Sequence, residues 1–297
     1  MKIDFHVHVT PPEISRDWQK IAEREPYFAM LSKSPANKFA CAEEAVSMLD
    51  EAGFDMAVVF GFGFRDPGLC RLANDYVMEK TRAFPKRLIG FMSVSPGAKC
   101  AEREIARCHD AGLRGVGEIF PAGQNFAIDD RRETRGLVEA CRERGLPLIV
   151  HANEPVGHAY PGKTDTGLRQ IERFIGNSQG LRIILAHFGG GLLFYESMPE
   201  MRAKCRDVCY DTAAMPFLYG ESAYRAALAL GLGEKIIFGS DFPLLNPARY
   251  LPGLDALPEA ERCKIMGGNA ERILAEPVRA EAESADGWPS GQDPRSP

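Results

Sequence analysis

No stretch of this chain approaches the ~20 apolar residues that a helix needs to cross a bilayer. The strand pattern begins by Ile3, which leaves no room for a signal peptide's apolar segment and cleavage site, so a cytoplasmic protein is expected. There is no basic run and no interleaving of basic with aromatic side chains. With a net charge of -5, nucleic acid is not an expected partner. None of the eight cysteines forms a CxxC pair, and most fall in or beside helical patterns, which predicts reduced thiols rather than disulfides or a thiolate metal site. A glycine-rich phosphate turn is also missing after the first apolar run, where the chain reads His8-Val9-Thr10-Pro11-Pro12. That absence counts against an open doubly wound sheet, the alternative to the fold derived next.

What is present is an alternation. The chain has 297 residues, 45% hydrophobic and 26% charged, enough for one large domain with a substantial core. Strand-like apolar runs occur at 3–7, 56–62, 88–94, 115–120, 146–152, 182–187, 208–212 and 235–240. Amphipathic helical patterns lie between them at 42–52, 69–82, 102–111, 134–144, 167–177, 200–206 and 223–230, and a last one spans 259–274. Gly53, Gly112, Gly145 and Gly231 stand where helices should stop, since glycine adopts the left-handed conformation that closes a helix. Eight strands alternating with helices predict an α/β fold, a (β/α)8 TIM barrel over residues 1–275. Residues 10–40 are too long for a simple connection and predict an insertion over the barrel mouth. Residues 276–297, rich in Glu, Ala, Ser, Pro and Gly, predict a disordered tail.

Chemistry on such a barrel gathers at the carboxyl ends of its strands. His6 and His8 stand there on the first strand, one residue apart, so that both imidazoles project to one side about 6–7 Å apart along the backbone. Glu118 falls near the end of the fourth strand, His151 ends the fifth, His187 the sixth, and Asp241 follows the eighth. Four of the six histidines thus occupy strand ends. In a closed barrel Asp241 reaches His6 and His8, and His151 faces them across the mouth. Three imidazoles and a carboxylate suit a divalent metal, zinc first, with manganese, iron, cobalt or nickel also accommodated.

These positions, in order on eight strands, resemble the amidohydrolase superfamily, and within it the branch that includes aminocarboxymuconate-semialdehyde decarboxylase. The likeness extends over residues 1–275, including Gly268-Asn269-Ala270 in the last helical pattern. It implies that His6, His8, His151 and Asp241 bind metal and that His187 acts beside a metal-bound water as acid or base. Many superfamily members carry a carbamylated lysine after the fourth strand that bridges two metals; this chain has Gly117-Glu118-Ile119 instead. One metal is expected. Glu118 is left with three possible roles: metal ligand, partner of a ligand histidine, or partner of an arginine.

Two further residues are candidates for substrate contact. His158 lies in the loop after the fifth strand, near the mouth, and Arg65 follows the second strand, where it would clamp a carboxylate or else remain a solvated surface arginine. His109, on a helix facing away, has no assigned role. The leading functional expectation is a metal-dependent hydrolase of small amides, esters, lactones or related carboxylated compounds, with His187 or Asp241 moving the proton. The second is a non-oxidative decarboxylase or hydratase of an unsaturated carboxylic acid, which a pair of arginines near the mouth would favour. A barrel serving only as a scaffold should have lost ligands, and none is missing here. The expected partner is a small-molecule substrate; a homodimer is left open.

Overall fold

The computed structural model describes residues 1–34 and 38–275. The expected tail, 276–297, lies outside the described residues. All eight expected strands form: β1 (Ile3–His8), β2 (Met56–Phe60), β3 (Leu88–Gly90), β4 (Val116–Ile119), β5 (Leu148–Val150), β6 (Ile183–Leu185), β7 (Val208–Asp211) and β8 (Ile236–Ile237). Every pairing is parallel. The strands form two sheets, β1-β2-β3 and β4-β5-β6-β7-β8.

Both seams between the sheets carry backbone contacts. Met92 bridges to Val116 on one side and Val7 to Phe242 on the other. The Phe5 N–H donates to the Phe238 carbonyl at 2.8 Å, and the Gly117 N–H donates to the Met92 carbonyl at 2.9 Å. Most strands are shorter than their apolar runs, because the last residues of each run leave the ladder to enter the loops that carry the polar side chains. The eighth shrinks from six residues to two.

Helices α1 (Pro12–Arg16), α2 (Trp18–Arg24) and α3 (Pro26–Ser32) make up the insertion after β1. They cover a separate apolar cluster that includes Ile14, Ile21, Phe28, Phe62 and Phe64. Then come α4 (Ala42–Ala52), α5 (Pro67–Ala83) and α6 (Ala101–Asp110), followed by Arg131–Glu143, Leu168–Asn177, Pro199–Lys204 and Ser222–Ala229. The sequence signals for α4 act as expected. Glu44 accepts the Cys41 N–H at 2.7 Å, satisfying an amide at the helix start, and Gly53 closes the helix at φ 71°. Gly112, Gly145 and Gly231 also take positive φ.

The final helical pattern differs from expectation. It breaks into Glu259–Cys263, a wide turn at Lys264–Gly268, and Asn269–Ala275. The break comes where Gly267 passes against the Met1 carbonyl, a contact that any β-carbon would obstruct.

Two layers of core follow from the alternation of strand side chains. An outer layer between strands and helices includes Val7, Val59, Leu113, Val116 and Phe174. An inner one, enclosed by the strands, includes Ile3, Phe5, Phe60, Phe91, Ile149 and Ile237. A register shift in β1 between Asp4 and Val7 serves the site directly. It lets Ile3 and Phe5 face inward below while His6 and His8 face inward above, although strict alternation would turn one pair out. All eight cysteines are free thiols. No helix among the described residues is long and apolar enough to cross a membrane.

Candidate metal centre

Five strand ends deliver six ligand-type side chains to one place, and these sort into two triads. His6, His8 and Asp241 form the first; Glu118, His151 and His187 form the second. In the first, the His6 Nε2 lies 3.3 Å from the His8 Nε2, and Asp241 Oδ1 is 3.7 Å and 3.4 Å from these two atoms. In the second, Glu118 Oε1 is 3.0 Å from His151 Nδ1 and 3.5 Å from His187 Nε2, and those nitrogens are 3.2 Å apart. Donors held about 2.1 Å from a common ion stand roughly 3.0–3.4 Å from one another, close to the edges of both triads. Glu118 joins the two, because its other oxygen, Oε2, lies 3.8 Å from the Nε2 atoms of both His6 and His8.

Local backbone geometry accounts for this convergence. Asp241 takes φ 60°, and its N–H donates to the His6 carbonyl at 2.9 Å, which turns the carboxylate back over β1. Gly239 leaves space for His6, whose Cβ would lie 2.7 Å from any β-carbon at that position. His187 and Phe188 begin a left-handed segment that continues through Gly189, Gly190 and Gly191. The glycine triplet makes that path possible: a side chain on Gly190 would collide with the Asn153 carbonyl of the neighbouring loop. Gly117 has φ 140° and lies so close to Ile149 that a β-carbon would be 2.6 Å from the Ile149 Cβ, which sets Glu118 against β5.

The hydrogen-bond partners fix which nitrogen of each ring faces inward. His6 Nδ1 donates to Asp211 Oδ2 at 2.8 Å and His187 Nδ1 to the Ala213 carbonyl at 3.0 Å, so both present Nε2. His151 Nε2 donates to the Gly162 carbonyl at 2.8 Å and presents Nδ1. Lone pairs and carboxylate oxygens therefore point at each other, an arrangement that requires a proton or a cation between them.

Proton affinities register the same demand. Burial pulls the His187 imidazole down, but the hydrogen bond and charge of Glu118, with Asp241 and Asp211, push it up to about 10. Burial is likewise outweighed at His6, where Asp211 foremost, then Glu118 and Asp241, push it up to about 9. Burial disfavours the Glu118 carboxylate, yet His151, His187 and His6 hold it well below its ordinary range. His151 is lowered, chiefly by burial. His8 Nδ1 is buried with no hydrogen-bond partner. A donor set of imidazoles and carboxylates with unsatisfied lone pairs at its centre fits a divalent cation.

The cluster forms the base of a cavity of about 350 Å³. The insertion supplies Tyr27, Phe28 and Leu31 to its walls, and Phe62, Phe120, Tyr160 and Phe217 come from the strand-end loops. Tyr27 packs on Phe120 at 3.8 Å between ring centroids, Phe120 packs on His151 at 3.9 Å, and the Tyr27 hydroxyl donates to the Pro161 carbonyl at 3.0 Å.

The structure places the expected residues unevenly. His6, His8 and Asp241 meet as expected. His151, expected to join them, instead faces Glu118 and His187, because the Gly162 carbonyl takes its Nε2 and orients the ring. His158 is exposed and lines the cavity. Arg65 does not line it; it is exposed, and its N–H donates to Glu25 at 3.0 Å. Among the described residues no arginine or lysine lines this cavity, so the arginine pair that would favour decarboxylation is not there.

Asp211 is the residue the sequence reading passed over. It is fully buried, holds His6, and accepts the N–H groups of His187 and Ala213 at 3.0 Å each. It stands at the end of β7, where the strand-end rule that found the others would have found it.

Comparison with known proteins agrees with this fold. 5-Carboxyvanillate decarboxylase from Sphingomonas paucimobilis superposes with a TM-score of 0.73 at 18% identity, covering 92% of this chain and 98% of that one. A dihydroxybenzoic acid decarboxylase from Polaromonas sp. JS666, with bound manganese and 2-nitroresorcinol, gives 0.70 at 18% identity over 92% and 96%. 5-Carboxyvanillate decarboxylase from Novosphingobium aromaticivorans, with manganese and 4-hydroxy-3-methoxy-5-nitrobenzoic acid, gives 0.74 at 18% identity over 92% and 96%. At such identities the likeness shows a shared fold. A search of curated proteins finds no match. The amidohydrolase family model matches residues 3–275, and the chain belongs to the amidohydrolase family.

Proposed function

We propose that this amidohydrolase-family enzyme is a metal-dependent decarboxylase of small planar carboxylic acids, working on a (β/α)8 barrel whose two sheets act as one ring. The observation that carries this reading is the cavity, whose aromatic walls stand over a base of metal-ligand side chains. Tyr27, Phe62 and Phe120 offer faces and edges suited to a flat conjugated ring. The arginine pair expected to favour this reaction is missing among the described lining residues, so a substrate carboxylate would have to find its compensating charge at the base. The similarly folded decarboxylases, two of them holding manganese, support the same chemistry.

A bound divalent cation would supply positive charge at the base of the cavity to offset a substrate carboxylate. Manganese and zinc both suit the donor set, which contains nitrogen and oxygen but no sulfur. His6, His8 and Asp241 would hold it, with Glu118 shared and His151 beyond. His187 holds a proton at Nε2 and delivers it to the ring carbon as the carbon–carboxylate bond breaks. The bonding pair stays on that carbon, and carbon dioxide leaves. Aromatic walls exclude water from the developing carbanion.

Hydrolysis is the second reading, and one observation favours it. Glu118 turns one oxygen to each triad, an arrangement in which the two triads could each hold a cation, which would supply an activated water for hydrolysis. The test is product analysis on manganese- or zinc-loaded protein given hydroxybenzoates, ring-carboxylated phenols, esters and lactones. Trapped carbon dioxide, lost on chelation and restored by metal, is the expected result. Ester or lactone opening without carbon dioxide selects hydrolysis, and full turnover in metal-free protein overturns both.

A further inference from the structure

Glu25 stands between α2 and α3 and is almost wholly buried, at 3% exposed. Its N–H ends α2 by donating to the Ile21 carbonyl at 2.9 Å, and its carbonyl accepts the Ala29 N–H at 2.9 Å to start α3. Its carboxylate reaches the loop after β2, where the two oxygens accept the Asp66 and Arg65 N–H groups at 2.9 and 3.0 Å. Hydrogen bonds from backbone amides to a carboxylate are about twice as strong as neutral ones. One buried side chain therefore fixes the first turn of α3 to a wall of the site.

The two residues after Pro26 each lead to a ligand-type histidine. Phe28 packs against Phe62 at 5.4 Å between centroids and 71°, and Phe62 lies nearly parallel to His8, 5.1 Å away at 13°. Tyr27 leads through Phe120 to His151. His8 depends on such packing more than its neighbours do. One ring nitrogen of His6, His151 and His187 is tied to Asp211, Gly162 and Ala213 respectively, whereas the His8 Nδ1 is buried without a partner. On that outer side the ring is oriented by aromatic contact, with Phe62 stacked on it and Phe60 crossing it at 79°, 4.9 Å away. Phe60 is fixed in β2. Phe62 lies in the loop beyond, and Phe28 is closer to it than Phe39 or Phe64, each at 6.3 Å.

We propose that Glu25 is a positioning residue of the candidate metal centre: its carboxylate holds α3 so that Phe28, through Phe62, sets the His8 ring to face an ion. The inference rests on reading that cluster as a cation site, and holds whether decarboxylation or hydrolysis follows. The test uses the full chain with Glu25→Gln, which turns an amide N–H₂ against one backbone donor, and Phe28→Leu, which keeps the clamp but removes the ring bracing Phe62. Manganese affinity is read on the folded protein by competition with a chromophoric chelator, and the His8 ring by NMR of ring-labelled, metal-free protein. Each variant should weaken manganese binding by about tenfold, the lower end for a group that orients a ligand, and should shift the His8 ring signal. Glu44→Ala, which removes the acceptor at the start of α4, should lower the melting temperature and change neither readout. Parental manganese affinity in both variants overturns the proposal, and so does an unmoved His8 signal; Glu25 would then be a structural clamp whatever its effect on melting. A parent that takes up no manganese is a separate failure, that of the cation reading, and the ring signals still decide the relay.

Discussion

Asp211 touches none of the space a substrate would occupy, yet three groups of the centre depend on it. Its carboxylate fixes the His6 tautomer through Nδ1 and anchors the backbone at His187 and Ala213. A partner of this kind raises the basicity of a ligand imidazole and holds its orientation, and losing one costs about 10–100-fold in metal affinity. Asp211→Asn keeps the shape but removes the charge. It should weaken binding of manganese or zinc by about that factor, measured by competition with a chromophoric chelator, while circular dichroism stays unchanged. Unaltered affinity would reduce Asp211 to a packing role. The six candidate ligand residues were legible in the sequence as a converging set because each is a strongly ligating group at a strand end. How they divide was not, because the division turns on one carbonyl, Gly162, eleven positions beyond His151 in the chain.

The loop that follows β6 shows how an element converts local strain into a site. From His187 through Gly191 the chain winds left-handed, which costs about 1–2 kcal/mol at each residue bearing a side chain. Three glycines relieve most of that, and the approach to Asn153 brings His187 beside His151. Gly190→Ala imposes both the unfavourable φ and a collision with the Asn153 carbonyl. It should destabilise by about 1–3 kcal/mol beyond the conformational cost, seen as a lower melting temperature and weaker metal uptake. Gly53→Ala supplies the comparison: its φ is 71°, but nothing lies within 4 Å of a β-carbon there, so only the conformational cost applies. Equal losses at the two positions would refute the collision.

Elements were readable to within a few residues where periodicity was long, as in α4. They were misjudged where tertiary contact decides, as at Gly267, where the last helix breaks against Met1. The aromatic roof was hidden for a similar reason. Tyr27 and Phe120 lie more than ninety positions apart, and no local pattern announces that their rings meet edge to face.

For the molecule as a whole, the candidate centre draws donors from both sheets. His6 and His8 belong to the three-stranded sheet; Glu118, His151, His187 and Asp241 belong to the five-stranded sheet and the chain leaving it. An ion bound there links them, and any ligand taken up only by the native state stabilises it, by about 2.7 kcal/mol at a hundredfold excess over its dissociation constant. Manganese or zinc should therefore raise the melting temperature in a concentration-dependent way, and a chelator should reverse the gain. A melting curve indifferent to metal would mean that neither triad holds an ion. The overall architecture was legible because strand-helix alternation is a global signal. The meeting of the first and last strands was expected from that alternation, but the thinness of the seams was not, because single bridges such as Val7 to Phe242 leave no mark on composition.

The pairing of β1 with the segment after β8 has a consequence in time as well as space. His6 and His8 are synthesised more than two hundred residues before Asp241. A nascent chain thus could not complete the candidate centre early, and any metallation would be a late checkpoint, passed only once β1 has met the segment beyond β8.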